Sequence, residues 1–189
     1  MTPEIAMNMV WGLWAVSWFA AAFWSTRAAS RPGFGAELLY RIVTIAGAIL
    51  LFGLRTHDPA RIPLWTVNET VAWFLVGLAA AGFAFCWWAR IHLGRLWSGF
   101  VTRKADHHIV DTGPYAIVRH PIYTGIILSA FATAAFKGSG IAFLGAAVMT
   151  VGFWIKARLE ERFLRQELGQ ETYDSYRRRV PMLVPFGPA

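Results

Sequence analysis

The sequence is poor in charge and nearly devoid of cysteine. Of its 189 residues, 15% are Asp, Glu, Lys or Arg, against roughly 25% in an ordinary soluble domain. The single cysteine, Cys86, stands inside an apolar run, which excludes an intramolecular disulfide and any cysteine-based metal motif. It is expected to be a packing residue. No glycine-rich phosphate loop, metal-binding His-Glu helix motif or Gly-x-Ser-x-Gly nucleophile elbow is present. His107 and His108 are adjacent, so on a regular element they would point apart and make a poor metal pair. No bound metal is expected. No Lys or Arg precedes the first apolar run, which has Glu4 ahead of it and Arg27 and Arg31 behind it. A secretory leader needs the reverse order, so this run is expected to be a retained helix with its N-terminus outside.

What fills the chain instead is apolar. Hydrophobic residues make up 56%, with ten Trp and fourteen Phe. Five apolar runs stand out, near Met9–Trp24, Leu38–Leu54, Val71–Ala89, Ile122–Phe136 and Gly140–Ile155. A lone helix needs about 20 residues to cross the hydrocarbon core. The last two runs are shorter and are separated by only Lys137-Gly138-Ser139, so they read as a tight helical hairpin. The expected architecture is all-α: one polytopic membrane domain over residues 1–189, with about five transmembrane helices. The net charge of +7 does not point to nucleic acid, because the charges cluster between the apolar runs rather than along one soluble face. With the N-terminus outside, only Arg55, Arg61 and Lys137 of the eighteen basic residues fall on the outer side. That bias satisfies the positive-inside rule. It places the 90–121 loop and the C-terminal tail together at a cytoplasmic face, in a layout that suits a bacterial inner membrane.

Polar residues concentrate in three places on that face. In HHIVDTGPY, from His107 to Tyr115, Pro114 pushes Gly113 away from helical angles, giving a shaped loop whose backbone groups can meet a ligand. An ordinary interfacial turn is the plainer alternative. In RHPIY, from Arg119 to Tyr123, Pro121 suits the first turn of a helix. Arg119 and His120 then stand at a helix N-terminus, which attracts carboxylates and phosphates; a snorkelling anchor is the competing reading. In the segment Lys156–Val180, read as a continuation of the fifth helix, Lys156 with Glu160 and Glu161 with Arg165 have i,i+4 spacing. Such pairs support an exposed helix by about 0.2–0.5 kcal/mol each. Yet carboxylates near a membrane interface are costly unless paired or functional, and Arg158 places a cation beside them.

The ordered set His-x-Ile-Val-x-x-Gly-Pro-Tyr, Arg-His-Pro-x-Tyr, an apolar hairpin and Arg-x-Glu-Glu resembles the isoprenylcysteine carboxyl methyltransferase family and the related phospholipid N-methyltransferases. HLGRLWS, from His92 to Ser98, and the tail residues Leu164, Gly169, Tyr173, Tyr176, Val180 and Pro181 extend the likeness over roughly residues 90–186. Residues 1–70, with the first two spans, carry no such signature. The resemblance implies a membrane methyltransferase that moves the methyl group of S-adenosylmethionine to a lipid or small lipophilic acceptor bearing a carboxylate, amine or thiol. It implies that the loop, hairpin and C-terminal helices form a cytosolic cofactor pocket lined by His107, Ile109, Gly113, Tyr115, His120, Pro121, Tyr123 and Glu161. Arg119, Arg158 and Glu160 would lie on the acceptor side as catalytic residues, Glu160 serving as base for an amine. Two alternatives stand beside it: an NADPH-dependent membrane reductase of the sterol-reductase type, and a non-catalytic membrane protein.

Overall fold

The computed structural model describes residues 1–21, 34–53, 64–94 and 109–187, which form seven helices and no strand. They are α1 (Pro3–Ala20), α2 (Phe34–Phe52), α3 (Glu69–Leu93), α4 (Pro114–Ile117), α5 (Pro121–Lys137), α6 (Gly140–Leu168) and α7 (Gln170–Arg179). Five of them, α1, α2, α3, α5 and α6, fall on the described parts of the five apolar runs. Two, α3 and α6, are long and apolar enough to cross a membrane, and α5 is apolar but shorter.

Local chemistry sets the boundaries. Thr2 Oγ1 accepts from the Ile5 N–H at 3.4 Å and Pro3 opens α1, so this helix begins well before its apolar run. Asn68 Oδ1 accepts from the Val71 N–H at 2.9 Å and starts α3. Gly138 ends α5 in the left-handed region, φ 59°, where a side chain would be strained, and α6 follows two residues later. The expected continuous helix to Val180 does not form. α6 stops at Leu168, and Gly169 at φ 88° turns the chain into the separate α7. α6 nevertheless runs thirteen residues beyond Ile155, the end of its apolar stretch, so its polar end projects past the bundle.

Although α5 and α6 are joined by a tight turn, each packs mainly on another partner, α5 on α3 and α6 on α2. Small residues make both contacts possible. A Cβ on Gly145 would stand 2.5 Å from the Leu51 nitrogen, and one on Gly47 2.5 Å from the Met149 nitrogen. Between α3 and α5, Gly82 lies against the Gly125 carbonyl, and the Ser129 hydroxyl donates to Ala79 O at 2.8 Å. Close backbone approach of this kind is how helices gain packing where lipid removes the hydrophobic drive for association. Cys86 is fully buried in the same seam. Its thiol lies 3.2 Å from the Ile122 carbonyl, in keeping with a packing role. α1 is tied across by Trp11 Nε1, which donates to Thr133 Oγ1 at 2.9 Å.

Replacing Gly145 by Val is expected to destabilise the bundle by about 1–3 kcal/mol through overpacking. Gly12, whose added Cβ meets nothing within 4 Å, should tolerate Ala with a neutral or stabilising effect. Thermal unfolding in detergent, followed by tryptophan fluorescence, compares the two.

Candidate functional site

The polar end of α6 meets the start of α5 and the C-terminal segment, and a buried charged cluster forms there. Pro121 opens α5 with His120 at its N-cap. Arg119 and His120 thereby fall just outside the helix, facing the last turns of α6. Arg119 Nε donates to Glu161 Oε1 at 2.7 Å, with both side chains at most 5% exposed. Its Nη1 donates to the carbonyls of Arg177, at 2.9 Å, and Val180. The Arg119 and His120 N–H groups donate to Pro181 O and Met182 O at 2.8 and 3.1 Å. The Thr124 hydroxyl donates to Leu183 O at 2.6 Å. The segment after α7 is thus laid as a strap along the entrance to α5.

Next to this pair lies a second carboxylate. The Tyr123 hydroxyl donates to Glu160 Oε1 at 2.6 Å. His120 bridges the two acids, Nδ1 lying 3.5 Å from Glu160 Oε2 and Nε2 3.3 Å from Glu161 Oε1. The Tyr123 ring stacks with His120 at 5.4 Å and with Phe153 at 5.1 Å. Its part is to fix His120 and orient Glu160. Lys156 Nζ is 3.9 Å from Glu160 Oε1, the i,i+4 pair expected from spacing, and also sits 5.1 Å from the Tyr123 ring centre. The other such pair does not form: Arg165 turns to Asp174 of α7 at 2.6 Å, leaving Glu161 to Arg119.

The 109–118 segment packs on the outside of this cluster. Gly113 has φ 57°, and a Cβ there would stand 2.7 Å from His92 Cε1, so both conformation and space require glycine. His92 Nε2 pairs with Thr112 Oγ1 at 2.9 Å. Tyr115 is buried, and its carbonyl accepts from the Tyr176 hydroxyl at 2.7 Å. Ile109 packs on Tyr173, Tyr176 and Val180. Nine of the eleven expected site residues therefore gather around the α5 entrance. Arg158 does not join them: it is exposed, with its guanidinium 5.0 Å over the Trp154 ring. His107 lies outside the described residues. Sequence reasoning missed His92 as a loop anchor, and it missed Glu37, Tyr40 and Arg41 of α2. Their signal was faint, three polar residues one turn apart at the start of an otherwise apolar run.

The electrostatics of His120 follow from its neighbours. Burial disfavours its charged form, but bonding to Glu160 and Glu161 outweighs this and raises its pKa above the ordinary 6.5. The helix N-terminus that sequence alone marked as an anion site is thus faced by the protein's own carboxylates.

A helical bundle of membrane type, with buried carboxylates, an Arg and a His at one end, defines the class: a helical membrane protein carrying a charged site beside its shaped loop. Residues 75–166 match the model of the isoprenylcysteine carboxyl methyltransferase (ICMT) family. Methanethiol S-methyltransferase 2 of Bradyrhizobium diazoefficiens is 33% identical over 76% of this chain and 58% of its own length. Protein-S-isoprenylcysteine O-methyltransferase of Schizosaccharomyces pombe is 33% identical over 53% of this chain and 43% of its own. Protein-S-isoprenylcysteine O-methyltransferase B of Arabidopsis thaliana is 29% identical over 80% and 72%. The chain belongs to this ICMT-like family, and it spans 58% of the length of the Bradyrhizobium relative.

Truncating Arg119 to Met leaves a buried carboxylate without its guanidinium and is expected to cost about 3–5 kcal/mol of stability, read as a fall in unfolding temperature. For His120, a folded pKa above the unfolded one makes its stabilisation complete below pH 6.5 and lost as pH rises through the folded value. The unfolding-temperature gap between wild type and His120→Gln should therefore be widest at low pH and close as the pH is raised.

Proposed function

We propose that this chain is an integral membrane methyltransferase that moves a methyl group from S-adenosylmethionine to a lipid or small lipophilic acceptor. The observation that carries the reading is the state of Glu161. Its Oε1 is taken by Arg119 and His120, whereas Oε2 is met among the described residues by half-exposed Arg177, at 3.8 Å. Oε2 is the oxygen that an amino-acid ammonium group would take, replacing a weak exposed contact by a charge-assisted one. The donor set fits the cofactor: a carboxylate for its ammonium and sulfonium charges, tyrosines beside it and a glycine-shaped loop for its adenine end.

When bound, the cofactor supplies an electrophilic methyl group on a sulfonium. The protein's part is alignment, the main source of rate in a displacement between positioned groups. Arg119 and the strap hold Glu161 still. Ile109, Gly113, Tyr115, His120, Pro121 and Tyr123 belong to the cofactor side in this reading, and His107 is assigned there by its sequence motif alone. Glu160 and Arg158 belong to the acceptor side, Arg158 from its exposed seat on Trp154. The bias of basic residues supports five crossings with the N-terminus outside and the site at the cytoplasmic face. Acceptors would then arrive from the surrounding lipid.

Titration of the purified protein with S-adenosylhomocysteine tests this reading. Wild type should bind it and not NADPH, and Glu161→Gln should weaken binding about tenfold or more, the loss of one charge-assisted hydrogen bond. Binding of NADPH with no binding of S-adenosylhomocysteine would falsify it.

A further inference from the structure

The N-terminal half contributes its own polar group to the site, through the register of α2 on α6. The two helices run antiparallel: Leu51 lies against Gly145, Gly47 against Met149 and Thr44 against Gly152. One turn further, Lys156 Nζ is 5.6 Å from the Tyr40 ring centre. Glu37 is the next residue of that stripe, one turn before Tyr40 on α2. Glu37 is 7% exposed. Its Oε2 accepts from Arg41 Nη2 at 2.5 Å, and its Oε1 is buried with no hydrogen-bond partner among the described residues. A buried carboxylate oxygen left without a donor costs free energy that the fold has no structural reason to bear.

We propose that the first two turns of α2 form the acceptor subsite, with Glu37 Oε1 receiving the hydrogen of a thiol acceptor. This rests on the methyl-transfer reading above. The choice of acceptor follows from the charges. A carboxylate acceptor would meet the bare Glu37 oxygen with like charge. An ammonium would pair with that oxygen but, with an ordinary pKa of about 10.4, would keep its proton and offer no lone pair for attack. A thiol brings the missing donor without a charge, and its ordinary pKa near 8.5 lets its proton leave as the sulfur is alkylated. The new C–S bond forms at the thiol sulfur. The methyl carbon's bond to the donor sulfonium breaks, with its electron pair left on that sulfur. The thiol proton passes to Glu37 Oε1 and then to solvent. Glu160, already held by Tyr123, His120 and Lys156, keeps a positioning role.

Glu37→Gln is the test, with a short-chain alkanethiol and the alkanoic acid of equal length as probes. Wild type should methylate the thiol and not the acid. In Glu37→Gln, methyl transfer to the thiol should fall about a hundredfold or more, the usual effect of losing a proton acceptor. Its affinity for S-adenosylhomocysteine should stay within twofold of wild type. Without donor, the alkanethiol should raise the unfolding temperature of wild type and not of the variant. Thiol methylation by the variant within threefold of wild type overturns the proposal, as does a wild-type preference for the acid. Wild type that fails to bind S-adenosylhomocysteine at all sinks the methyltransferase reading itself, and this subsite with it.

Discussion

The buried pair between Arg119 and Glu161 is the contact on which the polar end of the molecule depends. Two charges removed from water carry a desolvation penalty that their attraction alone does not offset. Here the remaining guanidinium donors reach the Arg177 and Val180 carbonyls, and His120 shares the same carboxylate oxygen. The pair is tolerable because three separate segments supply its partners. The dependence runs both ways: the guanidinium that Glu161 holds is also the one that reaches the strap at the Val180 carbonyl. The strap's backbone bonds to Arg119 and His120 also fix the approach of the chain to Pro121. A stiff entrance to α5 in turn keeps His120 and Tyr123 stacked, and through them Glu160.

The rest of the bundle is held by the opposite kind of contact. Between α2 and α6, and between α3 and α5, backbones meet at glycines, serine and alanine. Helices that touch through small residues have little freedom to slide, because any shift drives a side chain into a backbone. The α2–α6 register is therefore rigid over three successive pairs, Leu51 with Gly145, Gly47 with Met149 and Thr44 with Gly152. That rigidity decides which residues of α2 arrive beside the charged cluster. Packing in the apolar part thus positions chemistry at the polar part.

Much of this architecture was legible in the sequence, and the reasons are local. Apolar runs mark helices, Pro121 marks a helix start, and Gly138 between Lys137 and Ser139 marks a turn; each is a signal within a few residues. The gathering of Arg119, His120, Tyr123, Glu160 and Glu161 was visible through the order of motifs along the chain. Pairing was not. Spacing offers Glu161 to Arg165 on one helix, but Gly169 breaks that helix and brings Asp174 to Arg165 instead. Tyr123 looked like a surface for a ligand, and its ring already stacks with His120 and Phe153. Partners forty residues apart leave no trace in a periodicity. Glu37 and Tyr40 were the least legible of all, since they lie outside the half that resembles the family and reach the site only through the α2–α6 register.

The three carboxylates at this end differ in how well they are satisfied, and that difference sorts their roles. Glu161 Oε1 is saturated by Arg119 and His120, so it serves the fold, while its Oε2 is weakly held. Glu160 has one oxygen under the Tyr123 hydroxyl and the other near His120, a state suited to fixing geometry rather than exchanging protons. Glu37 alone keeps a buried oxygen without a donor. A reacting group has to retain such an unmet bond, at a cost of about 1–3 kcal/mol. The glycine-mediated packing of α2 on α6 is what supports that cost, because it holds Glu37 in place whatever its own hydrogen bonding. Stability and reactivity are therefore assigned to different helices: the α5–α6–strap junction supplies the first, and the end of α2 is left poised for the second.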